Sequence, residues 1–186
     1  MDLKELINNF WDYQKKNNIE LYNEFSFQHE LGIYLRNNLP NYKIQFERNI
    51  SYFFNNVKDT KKKEIDIVIF KDDFSEKYAI ELKYPKNGQY PEQMFSFIKD
   101  IKFMEQAKCL GFDKTFVMTL VDDRLFYDGN DVSGIYSFFR SGKTIQGTIT
   151  KPTGKKDDVI VLLGKYRINW QRLNFDCRYY LIEIWM

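Results

Sequence analysis

The chain has 186 residues, of which 44% are hydrophobic and 18% aromatic, and its formal net charge is +2. This length and composition predict one folded domain, residues 1–186, with a full core, and they exclude a disordered chain. The small net charge excludes a strongly basic nucleic-acid binder, so any affinity for phosphate must come from local clusters of charge.

Several classes of site and location are excluded by what the sequence lacks. The two cysteines, Cys109 and Cys177, are too few for a disulfide framework or a zinc site, and His29 alone cannot build a histidine-based nuclease centre in a monomer. No run approaches the roughly 20 apolar residues of a membrane span, and residues 1–10 lack the pattern of a signal peptide. We therefore expect a cytoplasmic protein without membrane contact.

Two helices are predicted in the first forty residues. Apolar residues recur at helical spacing over 2–16 and over about 21–38, and Pro40 ends the second segment. Glu30 lies about 60° from Phe27 when the second helix is drawn at 100° per residue, so it borders the apolar face. Its carboxylate is therefore either a boundary residue whose head reaches water or a member of a site.

A strand and a polar connection follow the second helix. Residues 41–54 predict a strand, with a change of phase near Arg48 that indicates a bulge, and Glu47 is a further candidate for a carboxylate near a site. The connection 55–63 ends in three consecutive lysines. These lysines form either a solvated turn or a contact with a phosphate backbone.

The most informative stretch of the sequence predicts a β-hairpin. Two apolar runs, 64–70 and 77–84, flank a turn signal. Because side chains alternate between the two faces of a strand, Glu81 and Lys83 share one face of their strand. Asp66 is expected on the same face of the neighbouring strand. The hairpin therefore brings two carboxylates and an ammonium together.

The rest of the chain completes the predicted fold. A helix over 91–110 ends at Gly111, a strand follows at 114–121, and strand-like runs fill much of 145–186. From about residue 20 to 121 the elements run helix, three strands, helix, strand. We expect an α/β fold with a mixed central sheet and a β-rich C-terminal extension.

Two carboxylates and an ammonium on one face suit metal-assisted hydrolysis of a phosphodiester. Mg²⁺ takes oxygen ligands from one or two carboxylates, keeps several waters and completes its shell with phosphate oxygens. The metal acidifies a bound water, and a lysine ammonium polarises the attacking water or neutralises a phosphate oxygen. The alternative is a solvated ion pair worth about 0 to 1 kcal/mol. Val68 and Ala79, on the same face, argue against full solvation.

The pattern of these residues resembles the signature of the PD-(D/E)XK nuclease superfamily. Asp66 is followed by fourteen residues and then by Glu81-Leu82-Lys83, and Ile65 stands where the family name has proline. The resemblance implies a restriction-endonuclease-like αβββαβ core. It also implies that Asp66 and Glu81 ligate the metal and that Lys83 assists the nucleophilic water.

The same resemblance implies an accessory carboxylate and a function. Glu30 resembles the helical glutamate that many of these nucleases place next to the metal, and Glu47 is its rival. The expected activity is that of a Mg²⁺-dependent DNA endonuclease, with Mn²⁺ as a substitute ion, in a restriction or defence role and with a homodimer as the candidate assembly. Two alternatives stay open: a catalytically inactive nucleic-acid or protein interaction module on the same fold, and a nuclease selective for RNA or for nucleic-acid structure.

Overall fold

The computed structural model describes residues 2–55, 57–154 and 158–185. In chain order, its helices and strands are α1 (Leu3–Lys16), α2 (Glu24–Asn38), β1 (Lys43–Asn49), β2 (Glu64–Phe70), β3 (Lys77–Lys83), α3 (Tyr90–Leu110), β4 (Lys114–Val121), α4 (Tyr136–Arg140), β5 (Ile145–Thr150), β6 (Val159–Tyr166), β7 (Gln171–Arg172) and β8 (Arg178–Glu183). None of the helices in the described ranges combines the length and the apolar character that crossing a bilayer requires.

The two N-terminal helices begin at side-chain caps. Asp2 caps α1 by accepting hydrogen bonds from two backbone N–H groups of the first turn, at 3.0 and 3.3 Å. At α2, Asn23 and Ser26 form a reciprocal capping box. This box starts α2 at Glu24, later than the predicted start near residue 21.

A mixed sheet lies at the centre of the fold. In the described part of the chain it has six strands in the order β1-β2-β3-β4-β8-β7; β3 and β4 are parallel, and the other neighbours are antiparallel. The predicted α/β class and mixed central sheet are confirmed. From α2 to β4 the elements follow the predicted order of helix, three strands, helix and strand. The predicted hairpin consists of β2 and β3, with Ile67 opposite Ile80.

The predicted bulge near Arg48 is wrong. Pairing of β1 with β2 keeps one register on both sides of that point, with Phe46 opposite Ile67 and Arg48 opposite Ile65. The change of phase in the sequence coincides with Glu47, whose φ of +48° places its backbone in the left-handed region. It is a backbone conformation at one residue and not an inserted residue.

The strands predicted for 145–186 are present, but they divide between two sheets. β7 and β8 join the central sheet, where β8 pairs with β4. β5 and β6 form a separate two-stranded antiparallel sheet. The C-terminal part therefore extends the central sheet as well as adding a small second one.

Helices and the small sheet cover the two faces of the central sheet. α1 and α2 pack on the face that carries Ile67 and Ile80. α3 and the β5–β6 sheet pack on the opposite face, which carries Val68 and Ala79. Because side chains alternate along each strand, Val68 and Phe70 of β2 and Ala79 of β3 lie beneath α3. Ile65, at the start of β2, departs from this alternation and joins the same cluster.

The positive φ of the glycine that ends α3 can be tested by substitution. Gly111 ends the helix, as predicted, with a φ of +116°, and a Cβ there would lie 3.3 Å from the ring of Phe54. We expect Gly111→Ala to lower the free energy of unfolding by about 1 to 2 kcal/mol, because an L side chain is strained in that region. Gly88→Ala, at an exposed glycine without a positive φ, is the control and should change it by less than about 0.5 kcal/mol. Chemical denaturation measures both, and equal stability of Gly111→Ala and the wild type would contradict the strain.

Candidate active site

Three of the side chains predicted to form a site, Asp66, Glu81 and Lys83, lie at the end of the β2–β3 hairpin, on the side of the sheet that α3 covers. Backbone pairing of the two strands runs as far as Ile67 opposite Ile80. Beyond that pair, carboxylate oxygens accept the hydrogen bonds that backbone carbonyls accept within the paired part of the hairpin. Asp66 Oδ2 accepts a hydrogen bond from Leu82 N at 2.6 Å, and Glu81 Oε1 accepts one from Asp66 N at 3.3 Å. The two carboxylates therefore fasten the end of β3 to the start of β2.

Lys83 projects from the end of β3 between two carboxylates. Its Nζ is 3.2 Å from Glu24 Oε1 and 3.8 Å from Asp100 Oδ2. Glu24 is itself fixed to the chain after β3, since its second oxygen accepts a hydrogen bond from Tyr84 N at 3.0 Å. Burial acts to lower the pKa of Lys83, but Asp100 and Glu24 more than reverse this, and the pKa is raised. Lys83 is therefore a cation.

A second lysine and a buried aspartate complete the group, and neither is a predicted site residue. Lys62 Nζ contacts Glu81 Oε2 and lies 2.9 Å from Asp100 Oδ1. Asp100 projects from α3 and is fully buried, as is Glu81. Among the described residues, neither oxygen of Asp100 has a hydrogen-bond partner, so Lys62 and Lys83 compensate it by charge alone. We call the following six side chains the charged cluster: Glu24, Lys62, Asp66, Glu81, Lys83 and Asp100.

Two carboxylates of the charged cluster, Asp66 and Glu81, are buried enough to resist ionisation. Burial raises the pKa of Asp66 to about 6, against the lowering effects of Lys62 and the Leu82 N–H. Burial also raises the pKa of Glu81 well above its ordinary value, and the charges of Asp66 and Asp100 add to this effect. For Lys62, burial acts to lower the pKa, but Asp100 and Glu81 more than reverse it, and the pKa is raised. The cluster is thus short of positive charge.

Glu30 lies away from the charged cluster, which corrects the expected accessory carboxylate. Its Oε1 is 3.7 Å from His29 Nδ1, and among the described residues it has no hydrogen bond or salt bridge to a member of the cluster. Glu24 and Glu30 are six positions apart on α2, so at 100° per residue Glu30 points about 120° away from Glu24. The structure puts Glu24, not Glu30, against Lys83.

Glu47, the rival carboxylate, is linked to the site through Gln28. Gln28 Nε2 donates hydrogen bonds to Glu47 Oε1 at 2.6 Å and to the backbone carbonyl of Asp66 at 2.7 Å. Gln28 is buried, whereas Glu47 is exposed. Glu47 therefore orients an amide that holds the backbone of β2, and its carboxylate stays outside the charged cluster.

The sequence predicts three members of the charged cluster and misses Glu24, Lys62 and Asp100. Asp100 carries a signal, because it lies three residues after Phe97 and four before Met104 on an apolar side of α3, where an unpaired acid is rare. Glu24 carries one as well, because at 100° per residue it lies about 20° from Leu31, on the apolar stripe of the predicted helix. Lys62 belongs to an irregular connection, in which no periodicity predicts the direction of a side chain.

Asp66 and Glu81 are the residues that would hold a divalent cation. Within the described ranges, no group of three or more His, Cys, Asp or Glu side chains is arranged to hold one ion. Two carboxylates are nevertheless sufficient for Mg²⁺, which keeps several waters. The charged cluster has a formal charge of −2 when all six groups are ionised, and the oxygens of buried Asp100 lack hydrogen bonds within the described residues. The residues present therefore fit a hard divalent cation.

Comparisons of the chain with protein-family models, curated proteins and solved structures find no match.

The raised pKa of Asp66 predicts how stability depends on pH in the metal-free protein. The pKa rises from an ordinary 3.8 to about 6 on folding, so the folded state binds more protons between those values and loses stability as the pH rises through them. Asp66→Asn keeps an acceptor for Leu82 N. We expect it to be about 1 to 3 kcal/mol more stable than the wild type at pH 7 and closer to it at pH 4.

Denaturation in EDTA at the two pH values measures this difference. Asp176→Asn, at an exposed position, is the control and should show no gain at either pH. A gain for Asp66→Asn that is equal at pH 4 and pH 7 would contradict the assignment of the raised pKa.

Proposed function

We propose that this protein is a magnesium-dependent deoxyribonuclease of the restriction-endonuclease-like class, acting as an endonuclease. The observation that carries the proposal is that Asp66 and Glu81 meet beyond the last backbone pair of β2 and β3, and that Lys83 is joined to this pair of carboxylates through Asp100 and Lys62. The element order from α2 to β4 is the order that the resemblance to the PD-(D/E)XK superfamily implies. A restriction or defence role and a homodimer follow from that resemblance.

Asp66 and Glu81 are the residues that would hold Mg²⁺, with Mn²⁺ as a substitute. The bound ion supplies an acidified water and compensates the charge that develops on the phosphate. Both side chains offer the oxygen ligands that hard cations prefer. The pKa values of both side chains are raised, first by burial and then by neighbouring carboxylates. A cation bound at this place would favour the ionised carboxylates and so lower both pKa values.

Lys83 is the residue that would act on the attacking water or on a phosphate oxygen. It is charged, and its Nζ is held 3.2 Å from Glu24 Oε1. An ammonium in this position orients a water or neutralises a non-bridging oxygen. Glu24 acts as a positioning residue, because its other oxygen is fixed by Tyr84 N.

The proposed substrate is DNA, approached through local rather than global charge. Lys61 and Lys63 are exposed and flank Lys62, whose ammonium reaches the cluster. These two lysines extend positive charge outward from the site along the connection before β2. Contacts of this kind neutralise phosphates irrespective of base sequence.

Cleavage assays test the proposal. We expect the wild type to cleave duplex DNA, as plasmid and as oligonucleotide, with Mg²⁺ and not with EDTA. Asp66→Asn, Glu81→Gln and Lys83→Met should each lower the rate about a hundredfold or more, because each removes a metal ligand or the cation at the water. Equal rates in the wild type and all three variants would contradict the assignment of these residues to a nuclease site.

The same assay separates the alternatives. Single-stranded DNA, RNA and branched duplexes are offered in competition with plain duplex. Cleavage confined to RNA or to branched substrates would show that the protein is a nuclease selective for those forms. Nucleic-acid binding that ignores Mg²⁺, without cleavage of any substrate, would instead favour an interaction module.

Glu24 and Glu30 form a matched pair on one helix. We expect Glu24→Gln to lower the cleavage rate about tenfold with little change in the KM for DNA, because Lys83 loses its charged partner while phosphate contacts stay. Glu30→Gln should leave the rate within about twofold, since Glu30 contacts His29. Steady-state cleavage of a fluorescent duplex measures both. A larger loss in Glu30→Gln than in Glu24→Gln would restore Glu30 as the accessory carboxylate.

A further inference from the structure

One oxygen of Glu81 is already engaged by the backbone. Glu81 Oε1 accepts the hydrogen bond from Asp66 N at 3.3 Å, which fastens β3 to β2. Glu81 Oε2 contacts Lys62 Nζ. A cation that binds Glu81 without disturbing the hairpin therefore approaches Oε2, the oxygen that Lys62 covers.

A metal ion and the Lys62 ammonium repel each other at that oxygen. Mg²⁺ ligates carboxylate oxygens at about 2.0 to 2.1 Å. An ammonium bonded to the same oxygen then lies within roughly 4 to 5 Å of the ion, where repulsion between charges of +2 and +1 exceeds thermal energy even in a polar medium. Tight ligation by Glu81 Oε2 and its contact with Lys62 are therefore competing states.

Lys62 is placed so that it can leave. It lies two residues before β2, in an irregular connection, and 31% of its side chain is exposed although Glu81 and Asp100 are fully buried. Its flexible four-carbon stem lets the ammonium swing into solvent while the backbone stays in place. The positive charge that it brings to Glu81 and Asp100 is the charge that a divalent cation would bring instead.

We propose that Lys62 is a built-in counter-ion that covers the metal-binding oxygen of Glu81 and is displaced when a divalent cation binds. The inference rests on the metal site of the proposed function and adds a competitor to it. The exchange keeps Glu81 and Asp100 compensated in both states, so the metal-free protein never holds them as bare buried charges. It also sets the ion concentration at which the site fills.

Calorimetric titration with Mn²⁺, in the absence of DNA, tests the exchange. We expect Lys62→Gln and Lys62→Met to bind Mn²⁺ about tenfold more tightly than the wild type, because the competing ammonium is gone. Lys63→Gln removes the same charge from an exposed neighbour and should change the affinity by no more than about twofold. Unchanged or weaker binding in both Lys62 variants, or no binding by any protein in the set, would overturn the inference.

A measurement on the wild type covers the case in which the Lys62 variants fail to fold. Acetylation by acetic anhydride, mapped by mass spectrometry, should be slower at Lys62 than at exposed Lys61 and Lys63 without metal. With Mn²⁺ added to saturation, labelling of Lys62 should become severalfold faster. Labelling of Lys62 that does not change with Mn²⁺ would show that its ion pairs persist, and would overturn the exchange.

These readouts separate the exchange from the nuclease. One outcome would support the exchange and contradict the nuclease activity. In it, Asp66→Asn loses Mn²⁺ binding and Lys62→Gln binds Mn²⁺ more tightly, but no nucleic acid is cleaved. The reverse holds if DNA is cleaved and the Lys62 variants bind Mn²⁺ no more tightly than the wild type.

Discussion

Two backbone N–H groups at the end of the β2–β3 hairpin are the constraint on which the site depends. Regular pairing of these strands stops at Ile67 and Ile80, and beyond it Asp66 N and Leu82 N donate to carboxylates. A buried donor left without a partner costs about 1 to 3 kcal/mol. The fold therefore needs the carboxylates of Asp66 and Glu81 where they are. The side chains that close the hairpin are the same ones that the proposed chemistry uses.

Buried carboxylates in turn require cations, and this requirement joins separate parts of the chain. Lys83 comes from β3 itself and pairs with Glu24 at the start of α2 and with Asp100 in α3. Lys62 comes from the connection before β2 and reaches Asp100 as well. Because these ion pairs join different elements, α2 and α3, on opposite faces of the sheet, are both tied to the charged cluster. The geometry of the site is therefore a property of the whole core.

The part of the site within the hairpin could be predicted from the sequence, because alternation along a strand is a local rule. Glu81 and Lys83 share a face by spacing, and Asp66 joins them once β2 pairs with β3. Lys62 could not be placed in this way, since its direction depends on an irregular connection. The pairing of Glu24 with Lys83 could not be predicted either, because it joins residues 59 positions apart. The order of elements follows from local patterns too. The pairing of β8 with β4 joins distant segments, which no local pattern specifies.

A second buried carboxylate on α3, that of Glu105, has a purely structural role and can be compared with Asp100. Glu105 is as buried as Asp100, but it accepts hydrogen bonds from the backbone N–H groups of Leu163 and Gly164 at 2.9 and 2.7 Å, as well as from a tyrosine hydroxyl and a lysine. These donors satisfy its charge and fasten β6 to the helix. Asp100 has no such donors among the described residues and lies beside other carboxylates. Glu105 is held by hydrogen bonds, whereas Asp100 is held by the charges of two lysines that also serve neighbouring carboxylates. This contrast favours a site in which a ligand supplies the positive charge that the charged cluster lacks.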